Sequence, residues 1–310
     1  MPEQTTENKL DLALTDFRVP SPLNAPPSTE RELVSRLRAH GKSSTGSFPI
    51  LQAALDIAAY ARIQTNTALP DFDSIINHMN ALSQAAEEWV SVYDTNPPAN
   101  DQVDWLRQIM QEQGGFVGAT QNYDASENAD IVAVIDNRRG LPVSLGLLYI
   151  HVARCGNFSI DGLNFPGHFL LRVNADEGSA IFDPFNDARI LEPQDLRATL
   201  KRFHGPAAEM DLSFTRSVRD RDVLTRMQNN LKIRALRESR LEDAILVLER
   251  LLLLEPGNGV FWQEAGLIHQ RLGNLRAAVL AFENAVETMQ EPALSVRVQS
   301  LLDEVRSQLN

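Results

Sequence analysis

The pattern of apolar positions divides the chain into a helical half, a short mixed section and a second helical run. ILQAALDIAAY, Ile50 to Tyr60, has helical spacing. DFDSIINHMNALSQAAEEWV predicts a second helix, with Ile75, Ile76, Met79, Leu82 and Ala86 on one stripe. DQVDWLRQIMQEQ predicts a third, with Val103, Leu106 and Met110 facing inward. Ahead of these, residues 1–48 carry one short helical pattern, TERELVSRLRAH, between VPSPLNAPPSTE and GKSSTGSFP. Proline, serine and glycine dominate those flanks, so a mobile N-terminal arm is expected.

The section from Gly114 to about Pro193 changes character. GGFVGATQNYDASENAD is rich in glycine and polar residues and predicts an ordered loop, followed by a short helix in ADIVAVIDNR. The Gly140-Leu141-Pro142 turn then launches a helix through about Cys155, with Leu141, Leu145, Leu148 and Val152 as its core-facing stripe. NFPGHFLLRV and SAIFDPF alternate as strands, and NADEGS between them makes a hairpin. Alternation puts Phe169, Leu171 and Val173 on one face and His168, Leu170 and Arg172 on the other. Near-symmetric closure pairs Val173 with Ala180, which makes His168 and Asp183 diagonal neighbours on one face, roughly 5–8 Å apart between Cβ atoms.

From about Arg221 the pattern is helical again and repeats at 34 residues. Trp262, Ala265, Gly266, His269, Ala278, Phe282 and Ala285 stand at the helix-turn-helix positions of a tetratricopeptide repeat. One period earlier stand Gln228, Leu231, Lys232, Ala235, Ala244, Leu248 and Leu251, with Pro256 ending the unit. SVRVQSLLDEVRSQL predicts a solvating cap helix. Two repeats and a cap are fewer than a free-standing array needs, so this segment is expected to pack on what precedes it.

Composition narrows the class. The formal net charge of −12 over 310 residues repels phosphate backbones and anionic lipid, which disfavours nucleic-acid and membrane-surface roles. No run of about 18 apolar residues predicts a membrane span, and MPEQTTENKLDLALTDF lacks the features of a secretory leader. The single cysteine excludes intrachain disulfides and suits a reducing, cytoplasmic setting. His40, His78, His151, His204 and His269 show no ligand spacing with Cys155 or with one another, so no metal is expected. No phosphate-binding glycine motif is present, and no cofactor is expected.

The candidate chemistry lies in Ser144, His168 and Asp183, which follow in the order nucleophile, base and orienting acid. A cysteine–histidine–aspartate site places its sulfur in the first turn of a helix, where unpaired N–H groups lower the thiol pKa. A strand histidine takes the proton and an acid on the neighbouring strand fixes the imidazole. Ser144 stands two residues after Pro142, at the helix entrance. Cys155 lies 11 residues further on, about 20° from the same face but roughly 16 Å along the axis, so it cannot replace Ser144. It is expected to be a small buried residue at the helix end. Arg138 and Arg139 abut the Ser144 turn, either as a solvated pair or beside an acid of the cleft. Arg172 shares the His168 face and can cap the sheet edge.

RRGLPVSLGLLYIHVAR, NFPGHFLLRV and FDPF together resemble the transglutaminase-like core of the bacterial SirB family, which joins such a core to C-terminal tetratricopeptide-type repeats. The resemblance covers about Ile50 to Asn310 and is strongest from Phe116 to Leu191. GFVGATQNYDASENADI resembles the family's glycine–tyrosine loop, with Ala119 where asparagine is usual. The resemblance implies that Ser144 occupies the cysteine position, His168 the histidine and Asp183 the aspartate. Serine is common there in the family.

The fold class expected is therefore α+β: a helix-rich papain/transglutaminase-like core with a small antiparallel sheet over residues 49–220, then tetratricopeptide-like helices over 221–310. An alkoxide starts several pKa units above a thiolate, so serine needs an aligned base and an oxyanion hole. The leading reading is a non-catalytic protein that binds a protein or peptide through the cleft and the repeat groove. The alternative is an amide or ester hydrolase, or an acyl transferase, using Ser144, His168 and Asp183. A third reading is a scaffold in which these residues only stabilise the fold.

Overall fold

The computed structural model describes residues 19–43, 48–91 and 97–309. Its organising element is helix α6, Pro142–Cys155, whose residues from Pro142 to Ala153 are all buried. A helix apolar on every side must be enclosed. Around it pack α2 (Ile50–Gln64), α3 (Phe72–Ser91), α4 (Ala99–Arg107), α5 (Ile131–Asn137) and α8 (Asp220–Arg237). The single stripe expected for α6 therefore understates its burial. The intervening Ser144, Gly146 and Leu147 also meet neighbours.

The sheet lies against the same helix. Strands β3 (Ser159–Leu163), β4 (Leu170–Ala175), β5 (Gly178–Asp183), β6 (Arg189–Ile190) and β7 (Ser217–Val218) form an antiparallel sheet of order β6-β5-β4-β3-β7. The hairpin closes as expected, with Val173 opposite Ala180 and Leu171 opposite Phe182. Phe169, Leu171, Val173 and Phe182 enter the main core. Leu163, Phe165 and Leu170 pack on the other side with Leu196 and Leu200 of α7, Pro193–His204. Neither α7 nor β3 is evident in the apolar pattern. In β3 an aspartate and Gly162 break the alternation, and α7 buries only two leucines. The cues for α7 were Pro193 in its first turn and Asp195, whose carboxylate accepts from the Glu192 backbone N–H at 3.0 Å. A separate parallel pair joins β1 (Val117–Gly118) to β2 (Arg139–Gly140) beside the entrance of α6.

The arm expected over residues 1–48 needs correction where it is described. Residues 1–18 and 44–47 lie outside the described residues. Residues 19–43 pack against the core, and α1 (Glu30–Gly41) buries Leu33 and Leu37 completely. The reason is a buried carboxylate. Asp56 of α2 accepts from Arg36 and His40 of α1, at 2.8 Å from Arg36 Nη2 and 2.7 Å from His40 Nε2. At the far end of α1, a Cβ on Gly41 would stand 2.5 Å from the Leu254 carbonyl oxygen, so only glycine allows this approach.

The C-terminal helices follow the 34-residue pattern. α8 pairs with α9 (Leu241–Leu254), α10 (Gly259–Arg271) pairs with α11 (Leu275–Thr288), and α12 (Pro292–Leu309) caps the stack. A Cβ on Gly266 would stand 2.5 Å from the Phe282 ring, which shows how closely α10 and α11 cross. The repeats are continuous with the core rather than tethered to it. Val223, Leu224 and Met227 of α8 join the main core, whereas Ala235 of the same helix joins the repeat core. Asp220 at the start of α8 forms a buried pair with Arg154 of α6, at 2.5 Å.

Candidate functional site

His168 and Asp183 meet as the hairpin register requires. His168 precedes β4 rather than lying within it, in a turn opened by Pro166 and Gly167. Gly167 has φ +73°, and a Cβ there would stand 2.7 Å from Phe203, so glycine serves both conformation and packing. The His168 Nε2 atom lies 2.8 Å from Asp183 Oδ2, and both residues are buried.

The Asp183 carboxylate is held on every side. Its Oδ1 accepts from the Phe185 backbone N–H at 2.9 Å, and its Oδ2 also accepts from Asn186 Nδ2 at 2.5 Å. Burial pushes the carboxyl pKa upward, but the hydrogen bond and charge of His168, with the Asn186 and Phe185 donors, outweigh it. The net direction is below the ordinary carboxylate value. Asp183 is thus an anion at neutral pH and fixes the imidazole with Nε2–H toward it. Nδ1 has no hydrogen-bond partner among the described residues.

Aromatic rings complete the setting. Phe203 of α7 stacks on the imidazole with ring centroids 5.7 Å apart, and Phe185 meets it edge-on at 6.2 Å. Tyr123 packs on Phe185 at 5.8 Å. Arg226 of α8 donates to the His168 carbonyl at 2.6 Å and lies over the Phe169 ring. Arg234, two turns later, donates to the Asp124 and Tyr123 carbonyls at 2.7 and 3.1 Å. The first repeat helix therefore grips both loops that flank the imidazole. Sequence reasoning missed Asn186, Phe203 and Arg226. Only Asn186, three residues after Asp183, had a local cue.

Ser144 does not join this pair. Its side chain is fully buried, and its hydroxyl donates to the Asn128 backbone carbonyl at 3.1 Å. The same carbonyl accepts from the Leu141 backbone N–H at 3.0 Å, so Ser144 pins the loop before α5 to the entrance of α6. No hydrogen bond joins Ser144 to His168 among the described residues. Cys155 is buried at the other end of α6, where burial pushes its thiol pKa up. His151, one turn before it, is pulled down to about 4 by burial and is neutral. Arg138 stacks over Phe116 and donates to the Ile135 carbonyl, while Arg172 pairs with Asp161 at 3.2 Å. Neither arginine reaches the His168–Asp183 pair. Among the described residues, no group of three or more His, Cys, Asp or Glu is placed to hold a metal ion. Likewise, no helix among them is long and apolar enough to cross a membrane.

The geometry predicts a pH dependence. The folded Asp183 pKa lies below its ordinary value of 3.8. Its contribution to stability is therefore complete above that value and is lost as pH falls through the folded one. Thermal unfolding followed from about pH 6 to pH 2.5 should show a shallower acid-side loss in Asp183→Asn than in wild type. Equal slopes would contradict the assignment.

A helix-enclosed core with a histidine–aspartate pair on its hairpin, joined to paired helices, defines the class to which the comparisons also point. The transglutaminase-like superfamily profile matches residues 74–229, and a tetratricopeptide repeat profile matches residues 231–310. The chain belongs to the transglutaminase-like superfamily. It is similar to a UPF0162 protein of Xylella fastidiosa, at 26% identity over 238 residues, covering 75% of this chain and 81% of the relative. A UPF0162 protein of Vibrio cholerae is 32% identical over 184 residues, covering 59% of this chain and 67% of the relative. A crystal structure of menin aligns with 86% of this chain and 71% of its own, at a TM-score of 0.42 and 9% identity.

Proposed function

We propose that this chain is a non-catalytic protein- or peptide-binding protein of the SirB type, acting in the cytoplasm through its repeat segment. The observation that carries the reading is the Ser144 hydroxyl, fully buried and donated to the Asn128 carbonyl instead of to His168. A serine nucleophile must share its proton with a base, and this one has another acceptor. The His168–Asp183 pair then serves to lock the β4–β5 hairpin, α7 and α8 together.

A groove of about 570 Å³ between α1, α2 and the repeat helices supports a binding role. Tyr60, Leu252, Leu253, Trp262 and Leu280 supply its apolar wall, and Leu280 is 59% exposed. Apolar anchors around a concave helical surface suit the side chains of a bound segment.

The test uses two arms. A fluorophosphonate probe should leave the folded protein unlabelled at Ser144, and labelling there would overturn the reading. Peptides selected on the immobilised protein should bind Ser144→Ala as they bind wild type, but bind Leu280→Asp at least tenfold more weakly, given a charge placed against an apolar anchor. Equal binding by Leu280→Asp would remove the groove from the proposal.

A further inference from the structure

A second, smaller cavity lies on a different face of α9 from the groove, at the seam between core and repeats. It encloses about 370 Å³ and is bounded by α2, the loop before α5, α8 and α9. Three arginines line it, Arg62, Arg240 and Arg250, against two aspartates, Asp130 and Asp243. The pairing among them is uneven. Arg62 holds Asp130 at 2.9 Å, and Arg240 holds Asp243 and also Glu238. Arg250 holds no carboxylate within ion-pair distance among the described residues.

Arg250 is 5% exposed, and its guanidinium carries five N–H donors that cannot be silenced by deprotonation near neutral pH. One is accounted for: Nη1 donates to Gln64 Oε1 at 2.8 Å. Among the described residues the buried Nε–H has no partner and Nη2 makes no hydrogen bond. Burial pulls the guanidinium pKa down to about 10, opposed by the more distant charges of Glu249, Asp130, Tyr60 and Asp243. Glu249 is engaged through Gln64, whose Nε2 donates to it at 3.1 Å, and it lines the groove rather than this cavity. A buried charged fork that faces an open volume, with its neighbours already paired, has donors free to receive the oxygens of an anion.

We propose that this seam cavity is a binding site for a small oxyanion, a phosphate or carboxylate group, with Arg250 as its principal donor and Arg240 at its rim. Guanidinium presents parallel N–H groups that match two oxygens of one acceptor group. Ser126 on the wall supplies a neutral hydroxyl, whereas the Thr67 hydroxyl is engaged with Thr65 at 3.0 Å. The cavity has room for more than the anionic group alone, so the group can be carried by a small organic molecule. An anion seated there bridges α2 of the core to α9 of the repeats. The site stands independently of the groove and of any role for Ser144.

The test is direct titration of the full chain, by calorimetry and thermal unfolding, with inorganic phosphate and with succinate, against sodium chloride at matched ionic strength. Either anion should bind and raise the melting temperature beyond the chloride control. A response to phosphate alone assigns a phosphate-bearing ligand, and a response to succinate assigns a carboxylate. Arg250→Gln should weaken that binding by roughly tenfold or more, and Arg240→Gln by a smaller factor with the fold intact. No response beyond chloride would overturn the site. So would undiminished binding in Arg250→Gln or, if that variant does not fold, in Arg240→Gln.

Discussion

Phe169→Ala is expected to lower the unfolding free energy by about 4 kcal/mol, within the range for deleting a fully buried aromatic ring. The ring lies between two glycines. A Cβ on Gly146 of α6 would stand 2.4 Å from it, and a Cβ on Gly162 of β3 would stand 2.7 Å from it. Arg226 of α8 covers it, with the guanidinium carbon 5.5 Å from the ring centroid. Three elements thus meet on one side chain, and the glycines offer no side chain to collapse into the space it leaves. Because His168 is the adjacent residue, the loss should also loosen the His168–Asp183 pair. Hydrogen exchange should show β4 and the start of α8 losing protection together, and the urea midpoint should fall. A midpoint shift corresponding to under 1 kcal/mol would mean that the site relaxes in a way this packing does not allow.

Asp56→Ala is expected to cost about 3 kcal/mol and to release α1 from the core. Asp56 is fully buried and accepts from Arg36 Nε at 3.0 Å, Arg36 Nη2 at 2.8 Å, His40 Nε2 at 2.7 Å and Gln52 Nε2 at 3.2 Å. Removing the carboxylate leaves the Arg36 charge beside α2 with no counterion. Its partial exposure places the cost at the low end for a broken buried pair. Protease susceptibility near α1 should rise along with the loss in stability, because α1 also forms one wall of the groove. A variant that melts like wild type, with α1 equally protected, would show that Leu33 and Leu37 alone hold the helix.

Most helices and the hairpin were legible because their signals are local. The 3.6-residue period marked α2, α3 and α6, and small residues at fixed offsets marked the crossing of α10 on α11. The two-residue turn at Asp176-Glu177 set the hairpin register, and with it the meeting of His168 and Asp183. α7 and β3 were not legible, because α7 shows the core only two leucines and β3 carries Gly162 where the Phe169 ring needs room. The segment around α1 was misread for a different reason. Its prolines and serines suggested mobility, whereas Arg36 and His40 had a partner on α2 that no local pattern reveals.

The candidate site divides in the same way. By itself the sequence determined that a histidine and an acid share one face of a hairpin and that a serine stands at a helix entrance. Strand alternation and helix position are properties of a few neighbouring residues. Only the tertiary structure decided what those groups do with their hydrogen bonds. The Ser144 hydroxyl turns to a carbonyl 16 residues earlier, and the His168 carbonyl is held by an arginine 58 residues later. Arg250, too, has no carboxylate partner among the described residues, at a seam between distant helices. A polar side chain's partner is set by which distant segments pack against it, and that is fixed only when the whole core closes.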